Sequence, residues 1–136
     1  MLPTECLCTR LRRASRGVSK RYDDALSRVG LSAAQYSLLR HLQRLDQPSI
    51  SDLAAAMGLE RSTLGRNLRL LEGRGLVVLQ GGADQRNRLA SLTAEGERLL
   101  AEGLEAWQAV QLHLQQRVQA HHLQALDELL ASLDRP

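Results

Sequence analysis

Polar and basic side chains recur along one side of a predicted helix near the middle of the chain. Ser62, Arg66 and Arg69 follow one another at intervals of four and three residues, which places them on one helix face. Arg61 and Asn67 flank that face. Arginine can donate two hydrogen bonds to guanine, asparagine can pair with adenine, and serine can bond to either base. The face therefore suits base recognition in a major groove, although a solvated surface helix would show the same pattern.

An apolar stripe runs along the other side of this helix, which the sequence predicts over residues 61–74. Leu64, Leu68 and Leu71 recur at helical spacing and would hold the helix against a core. A shorter helix is predicted over residues 51–57, where a glycine ends it. Two helices joined by so short a turn predict a helix–turn–helix.

Two short strands are predicted next, over residues 76–79 and 89–92, with a polar tip over residues 81–88. Between Arg61 and Arg88 there are six arginines and two acidic residues, a local net charge of +4. A basic helix followed by a basic ribbon offers two contact points for a phosphate backbone. The ribbon tip could also insert arginine into a narrow minor groove, where the potential is most negative.

Side-chain caps mark the predicted starts of the other helices. Ser32 and Gln35 have the spacing of a capping box, and Thr93 precedes two glutamates as a helix N-cap. Ser49 has cap spacing to an aspartate, and Ser49 with Ile50 is also expected to form a very short strand beside the ribbon.

The composition predicts a mainly α-helical fold with an aliphatic core. The 136 residues include no Phe, one Trp and two Tyr, so Leu, Ala and Val must fill the interior. The net charge of +3 is unevenly spread, because residues 95–136 carry seven acids and three bases, a net charge of −4. Six basic residues and no acid lie between Arg10 and Arg21. They could form the side of a long helix that faces solvent, or one that faces nucleic acid.

Long amphipathic helices are predicted at both ends of the chain, over about residues 4–28, 94–119 and 122–133. Their apolar stripes exceed what one small head can cover, so we expect them to pack between two subunits, with packing inside one chain as the alternative. The expected division of the single domain 1–136 is a DNA-binding head over residues 31–94 and dimerisation helices over residues 1–30 and 95–136.

The ribbon and its surroundings resemble the multiple-antibiotic-resistance regulators, the MarR family. Residues 84–93 (DQRNRLASLT) follow that family's wing pattern of Asp-x-Arg, a short spacer and Leu-Thr, while residues 59–64 (LERSTL) and 71–76 (LEGRGL) resemble its recognition helix and exit. The resemblance covers nearly the whole chain. It implies a winged helix–turn–helix of about six helices and a small antiparallel wing, an obligate homodimer, and control of transcription, usually repression.

The resemblance also implies roles for single residues. Asp84 would fix the hairpin, often by pairing with an arginine, Arg86 would enter the minor groove, and Arg88 could share that role. The predicted DNA contacts are Arg61, Ser62, Thr63, Arg66, Asn67, Arg69, Arg86 and Arg88.

The start of the first helix resembles the organic-hydroperoxide branch of the family. There a cysteine at the position of Cys8 is oxidised, and a tyrosine at the position of Tyr22 hydrogen-bonds it across the dimer. Arg12 and Ala33 stand where the branch has further tyrosines. Cys8 would serve equally as a small apolar residue of the helix stripe. Cys6 is expected inside the same helix, too near in sequence to pair easily.

Catalytic and metal sites find little support in the sequence. It has no glycine-rich phosphate loop and no nucleophile elbow, its cysteines lack zinc spacing, and the adjacent pair His121 and His122 should not present both rings on one helix face. We expect no enzyme activity, cofactor or metal. Without a signal peptide or an apolar run of membrane-spanning length, the chain is expected to be cytoplasmic.

Together with the family resemblance, these patterns predict a homodimeric repressor that binds double-stranded DNA at a pseudo-palindromic operator. Its inducer would be a small aromatic molecule or a peroxide. The alternative is a winged-helix module that binds protein instead of DNA, which the basic tip disfavours.

Overall fold

The computed structural model describes residues 6–81 and 88–136, which form six α-helices and one antiparallel sheet of two strands. This confirms the predicted mainly α-helical winged helix–turn–helix. A short 3-10 helix, Ser27–Val29, follows α1. In chain order the elements are α1 (Leu7–Leu26), α2 (Ala33–Arg44), α3 (Ile50–Met57), α4 (Arg61–Gly73), β1 (Val77–Gln80), β2 (Leu89–Leu92), α5 (Ala94–Arg117) and α6 (Ala120–Leu133).

The predicted caps begin three of these helices. The Ser32 hydroxyl accepts a hydrogen bond from the Gln35 amide at 3.1 Å, and the Gln35 side chain accepts one from the Ser32 amide at 3.0 Å, completing the capping box of α2. Ser49 caps α3 and Thr93 caps α5 in the same way, each accepting from a backbone amide three residues on at 3.0 Å. Each cap pairs an amide that a helix start would leave without a partner.

The first helix begins later than the sequence predicts. Cys6 is its N-cap, with extended backbone angles (φ −69°, ψ 148°), so the expectation that Cys6 lies inside the helix is wrong. A polar sulfur can accept from the free amides of the first turn, and the Thr9 amide lies 3.3 Å from Cys6 Sγ. The prediction for residues 4 and 5 lies outside the described residues.

The ribbon pairs β1 with β2 in a register that runs from Val77 opposite Leu92 to Gln80 opposite Leu89. Ser49 forms a bridge to Leu89, as predicted, but Ile50 starts α3 and is not a strand residue. The Ile50 amide still donates to the carbonyl oxygen of residue 88 at 3.1 Å. These two contacts connect the ribbon to the start of α3 and so to the helix–turn–helix. The ribbon tip, residues 82–87, lies outside the described residues.

A single leucine-rich core joins all elements except α6. The predicted stripe of α4, Leu64, Leu68 and Leu71, is completely buried, which confirms it. Burying a leucine side chain contributes about 1.5–3 kcal/mol, so this stripe holds α4 in one orientation. Leu26 of α1 and Leu100 of α5 belong to the same core.

The terminal helices leave apolar side chains exposed. Every residue of α6 is at least partly exposed, and Leu126 and Leu130 are 47% and 52% accessible. Leu7, near the start of α1, is 50% accessible. Among the described residues, no helix combines the length and the apolar character needed to cross a membrane.

Candidate nucleic-acid interface

Helix α4 presents the predicted polar residues on the side away from its buried leucine stripe. The exposed residues of the predicted polar face are Arg61, Ser62, Arg66 and Arg69, and its half-buried residues are Thr63 and Asn67. The structure therefore brings six of the predicted DNA contacts together on one helix. Their contact with bases stays a prediction, since exposure shows only that the side chains can reach a groove.

The turn before α4 presents the start of this helix to solvent. Gly58 ends α3 in the left-handed region (φ 66°), which favours glycine, and the Leu59 amide donates back to the Ala54 carbonyl at 3.0 Å. Glu60 is the N-cap of α4 but makes no side-chain capping bond within the described part of the chain. Amides at such a helix start, together with the helix dipole, favour a phosphate.

The wing contributes one described arginine. The Arg88 guanidinium is half-buried and donates to the Leu79 carbonyl oxygen at 3.3 Å, so it supports the end of the ribbon as well as adding charge. Asp84 and Arg86 lie outside the described residues, and their roles as wing-structuring and minor-groove residues stay predictions.

Hydrogen bonds fix the base of the wing to α5. The Thr93 hydroxyl donates to the Gly75 carbonyl at 2.6 Å, and the Thr93 amide donates to the Leu76 carbonyl at 3.1 Å. Thr93 is also the N-cap of α5. One residue therefore links the connection between the predicted recognition helix and the first strand to a terminal helix.

Cys6, two residues before the predicted oxidant sensor Cys8, lies where hydrogen bonds favour a thiolate. A hydrogen bond from the Thr9 side chain, followed by one from the Thr9 amide, lowers the pKa of the Cys6 thiol from its usual value. Cys8 is exposed in the first turn of α1. Cys6 was not among the residues predicted to be functional, although a cysteine three residues before a threonine at a helix start has the spacing of a cap.

Tyr22 has a partner other than cysteine in this chain. Its hydroxyl donates to Oε1 of Gln111 on α5, and burial raises its pKa. Cys8 and Tyr22 lie 14 residues apart in one helix, about 21 Å along its axis, so a bond between them requires two subunits.

A cavity of about 450 Å³ lies between α1, α2 and α5. Both tyrosines and the single tryptophan of the chain line it, namely Tyr22, Tyr36 and Trp107. The rings of Tyr36 and Trp107 stack with centroids 6.2 Å apart, and the Arg40 guanidinium lies 4.7 Å from the Trp107 ring centroid. The sequence patterns did not predict this site, although the scarcity of aromatic residues was a usable signal.

The histidine pair departs from the sequence expectation. The rings of His121 and His122, in the first turn of α6, lie together with centroids 4.1 Å apart. His122 uses Nδ1 to accept from the Gln119 amide at 3.1 Å. Within the described ranges, no group of three or more potential metal ligands comes together.

Known proteins resemble this chain in both sequence and fold. A MarR family model matches residues 29–86. HosA, a transcriptional regulator of Escherichia coli O157:H7, is 31% identical over 106 residues, which are 76% of this chain and 77% of HosA.

Two solved structures extend the likeness to nearly the full length. The transcriptional regulator MosR of M. tuberculosis, in complex with DNA, is 33% identical with a TM-score of 0.80, over 96% of this chain and 100% of that one. The transcriptional repressor CouR, bound to p-coumaroyl-CoA, is 26% identical with a TM-score of 0.81, over 97% of this chain and 94% of that one. This chain therefore belongs to the MarR family of DNA-binding transcriptional regulators.

Proposed function

We propose that this protein is a homodimeric repressor that binds a pseudo-palindromic operator and leaves it when an inducer binds. The observation that carries this proposal is helix α4, in which three fully buried leucines lie opposite an exposed polar and basic face. In the proposed complex, α4 enters the major groove and the wing contacts the adjacent backbone and minor groove. A dimer that covers promoter DNA would exclude polymerase sterically.

The second copy in this proposal covers the exposed apolar surface of the terminal helices. Leu7 and Leu11 of α1 and Leu133 of α6 line one apolar groove, and Leu126 and Leu130 continue the exposed leucines along α6. Monomeric soluble proteins rarely leave so continuous an apolar surface in water. We therefore assign dimerisation to residues 1–30 and 95–136 and DNA binding to residues 31–94.

A small aromatic molecule is our first choice of inducer, and the cavity between α1, α2 and α5 is its proposed site. CouR, a relative of similar fold, binds p-coumaroyl-CoA, which supports a small-molecule ligand. Helix α2 provides much of the lining and also packs against α3 and β2. A ligand that moves α2 relative to α5 would consequently change the separation of the two DNA-binding heads.

An organic hydroperoxide is the second candidate inducer. Cys8, in the first turn of α1, lies next to leucines of the proposed dimer surface. Oxidation there would disturb the contact between subunits. Cys8 with Tyr22 is the pair that the family resemblance suggests. The lowered pKa of Cys6 supports that residue instead, since the thiolate is the form that peroxides oxidise.

A protein-interaction module is the rival function, and the salt dependence of DNA binding separates the two. Affinity for a random duplex should fall linearly on logarithmic axes as salt increases, because bound phosphates release counterions. Arg86→Ala should lower the affinity several-fold and make the slope shallower, while helicity and oligomeric state stay unchanged. If duplex DNA does not bind at low salt, or binds equally at all salt concentrations, the repressor proposal fails.

A further inference from the structure

One side of α1 carries four basic residues in a row. They follow one another at intervals of three, three and four residues, so they share one helix face, which we call the outer face of α1: Arg10, Arg13, Arg16 and Lys20. All four side chains are exposed. The sequence has no acidic residue between Arg10 and Arg21, so this part of the helix surface is uniformly positive.

The outer face points away from the rest of the chain. The opposite side of α1 is apolar and carries Leu11, Val18, Tyr22 and Leu26 at helical spacing. Tyr22 is half-buried and Leu26 completely buried in the core, so this apolar side is the one turned towards the protein. A second copy that covers the exposed leucines of the apolar side would therefore leave the outer face in solvent.

Helix stability does not explain these charges. Like charges three or four residues apart repel one another on a helix, and Arg13 has such a neighbour on each side in Arg10 and Arg16. Arg10 also lies in the first turn, where the helix dipole disfavours a cation. Lys20 pairs with Asp24 at 2.9 Å, whereas Arg10 and Arg16 have no carboxylate partner among residues 6–81 and 88–136. An anionic partner would relieve this repulsion.

The outer face lies far from the predicted recognition helix. Helix α1 packs mainly against α2 and α5, and α4 packs mainly against α3 and β1. The two regions approach at Gly30, beyond the end of α1, where a Cβ atom would lie 3.3 Å from the Arg74 guanidinium. Arg16 and Arg10 lie about 15 Å and about 24 Å from Leu26 along the axis of α1. The start of α1 lies instead beside the end of α6.

We propose that the outer face of α1 binds the phosphate backbone of a second DNA duplex while α4 holds the first, so that the protein joins two DNA segments. The charges are complementary, since a duplex carries about nine phosphate charges over the roughly 15 Å between Arg10 and Lys20. Backbone contacts carry no sequence information, so the second duplex would be bound whatever its sequence.

The first duplex is what favours DNA as the partner. Once α4 holds one segment, neighbouring DNA of the same molecule is present at a high effective concentration around the outer face. A weak, purely electrostatic contact is then sufficient to hold a second segment. An anionic membrane would suit the same charges, but nothing bound to α4 would bring it near.

A capture assay with random-sequence DNA and the full-length protein tests the inference. Protein is loaded at low salt onto a long duplex fixed to beads, free protein is washed away, and a short fluorescent duplex is added. The wild type should retain the fluorescent duplex. Arg10→Gln combined with Arg16→Gln should lower its retention about tenfold, the effect of two lost phosphate contacts, and make its salt dependence shallower. The amount of protein held on the beads should change little, because α4 and the wing supply that contact.

Two controls separate the outer face from general effects. Glutamine is a good helix former and both positions are exposed, so the helicity and Tm of the double variant should match those of the wild type. Arg117→Gln combined with Arg135→Gln removes the same charge from exposed positions at the end of α5 and beyond α6. This matched variant should retain the fluorescent duplex as well as the wild type does.

Three results would overturn the inference. The wild type retains no fluorescent duplex; the Arg10→Gln, Arg16→Gln variant retains as much as the wild type, as it would if the second head of a dimer held the label; or both double variants lose it equally, which would assign capture to net charge. Vesicles of phosphatidylglycerol and phosphatidylcholine provide the competing partner. If these vesicles bind through Arg10 and Arg16 and the second duplex does not, the face is a membrane contact and the DNA inference is wrong.

Failure of the proposed function would look different. In that case the wild type would not be held on the bead duplex even at low salt, and the second contact would fail with the first. Loss of the fluorescent duplex alone, with protein still on the beads, would refute only the contact made by α1.

Discussion

The start of α5 touches the backbone of the wing at Gly96 and Leu76. A Cβ atom on Gly96 would overlap the Leu76 carbonyl oxygen and lie 3.1 Å from its carbonyl carbon. The same carbonyl oxygen accepts from the Thr93 amide at 3.1 Å. Backbone atoms cannot rotate aside as a long side chain can, so the contact requires glycine. It fixes the direction in which α5 leaves the DNA-binding head.

Gly96→Ala should therefore destabilise the protein by about 1–3 kcal/mol, the usual cost of adding a methyl group where there is no space. Gly73→Ala is the matched control, because nothing lies within 4 Å of a Cβ atom at that exposed position of α4. Its free energy of unfolding should be unchanged or slightly raised. Urea titration at one fixed protein concentration measures both variants. Equal changes in the free energy of unfolding for the two variants would show that the contact between α5 and the wing backbone does not exclude a side chain at position 96.

Arg66 should contribute to sequence preference as well as to affinity. If its guanidinium bonds to a base, Arg66→Ala should cost about 1–3 kcal/mol of operator binding and relax the preference at one operator position. Arg66→Lys keeps the charge but lacks the planar fork, so it should lose the preference while retaining most of the salt-dependent affinity. Binding to a set of single-base operator variants measures both quantities. A preference that survives in both variants would assign Arg66 to the backbone alone.

Charge on the exposed leucine stripe of α6 should separate the subunits. Leu126→Asp or Leu130→Asp would place an unpaired carboxylate in the proposed interface, which is very unfavourable, so monomer or unfolded chain is expected. Gln124→Asp adds the same charge on the polar side of α6, where the Gln124 side chain bonds to Glu128, and should remain dimeric. Sedimentation at micromolar concentration measures the assembly. A monomeric wild type would refute the interface.

Cys6 should be more reactive than an ordinary cysteine thiol. Its lowered pKa means that the thiolate fraction rises at lower pH than for an ordinary thiol. In a Cys8→Ser background, the rate of alkylation should therefore rise with a midpoint below that of free cysteine, and Thr9→Ala should move the midpoint upwards. If hydroperoxide releases DNA from Cys6→Ser but not from Cys8→Ser, Cys8 is the sensor and the pKa of Cys6 is incidental.

Local patterns in the sequence predicted the elements that position the candidate interface. The leucine stripe of α4 and the caps Ser32, Ser49 and Thr93 depend on residues three to seven positions apart, and all are confirmed. The start of α1 was placed too early because its apolar spacing continues past Cys6, and only backbone angles show that the helix has not begun there.

Tertiary packing decided what the sequence could not show. Tyr22, Tyr36 and Trp107 come from three helices, and their shared cavity exists only because those helices pack together. Arg88 was predicted from the charge of the ribbon tip and the family resemblance, whereas its bond to Leu79 depends on the register of the two strands. Sequence spacing therefore predicts a helix face well, but it is a poor guide to a site that is assembled from elements distant in sequence.

Protection of promoter DNA by the full-length protein tests whether a dimer reads its operator with two α4 helices. The DNA beside the gene is searched for an inverted repeat, and the repeat is footprinted and titrated with protein. We predict two protomers per repeat and protection of two half-sites about one helical turn apart. Inserting half a turn between the half-sites should abolish tight binding, because the two α4 helices would then face opposite sides of the duplex. Binding by a single protomer, or binding that is indifferent to the inserted half turn, would contradict a dimer that reads DNA with paired helices.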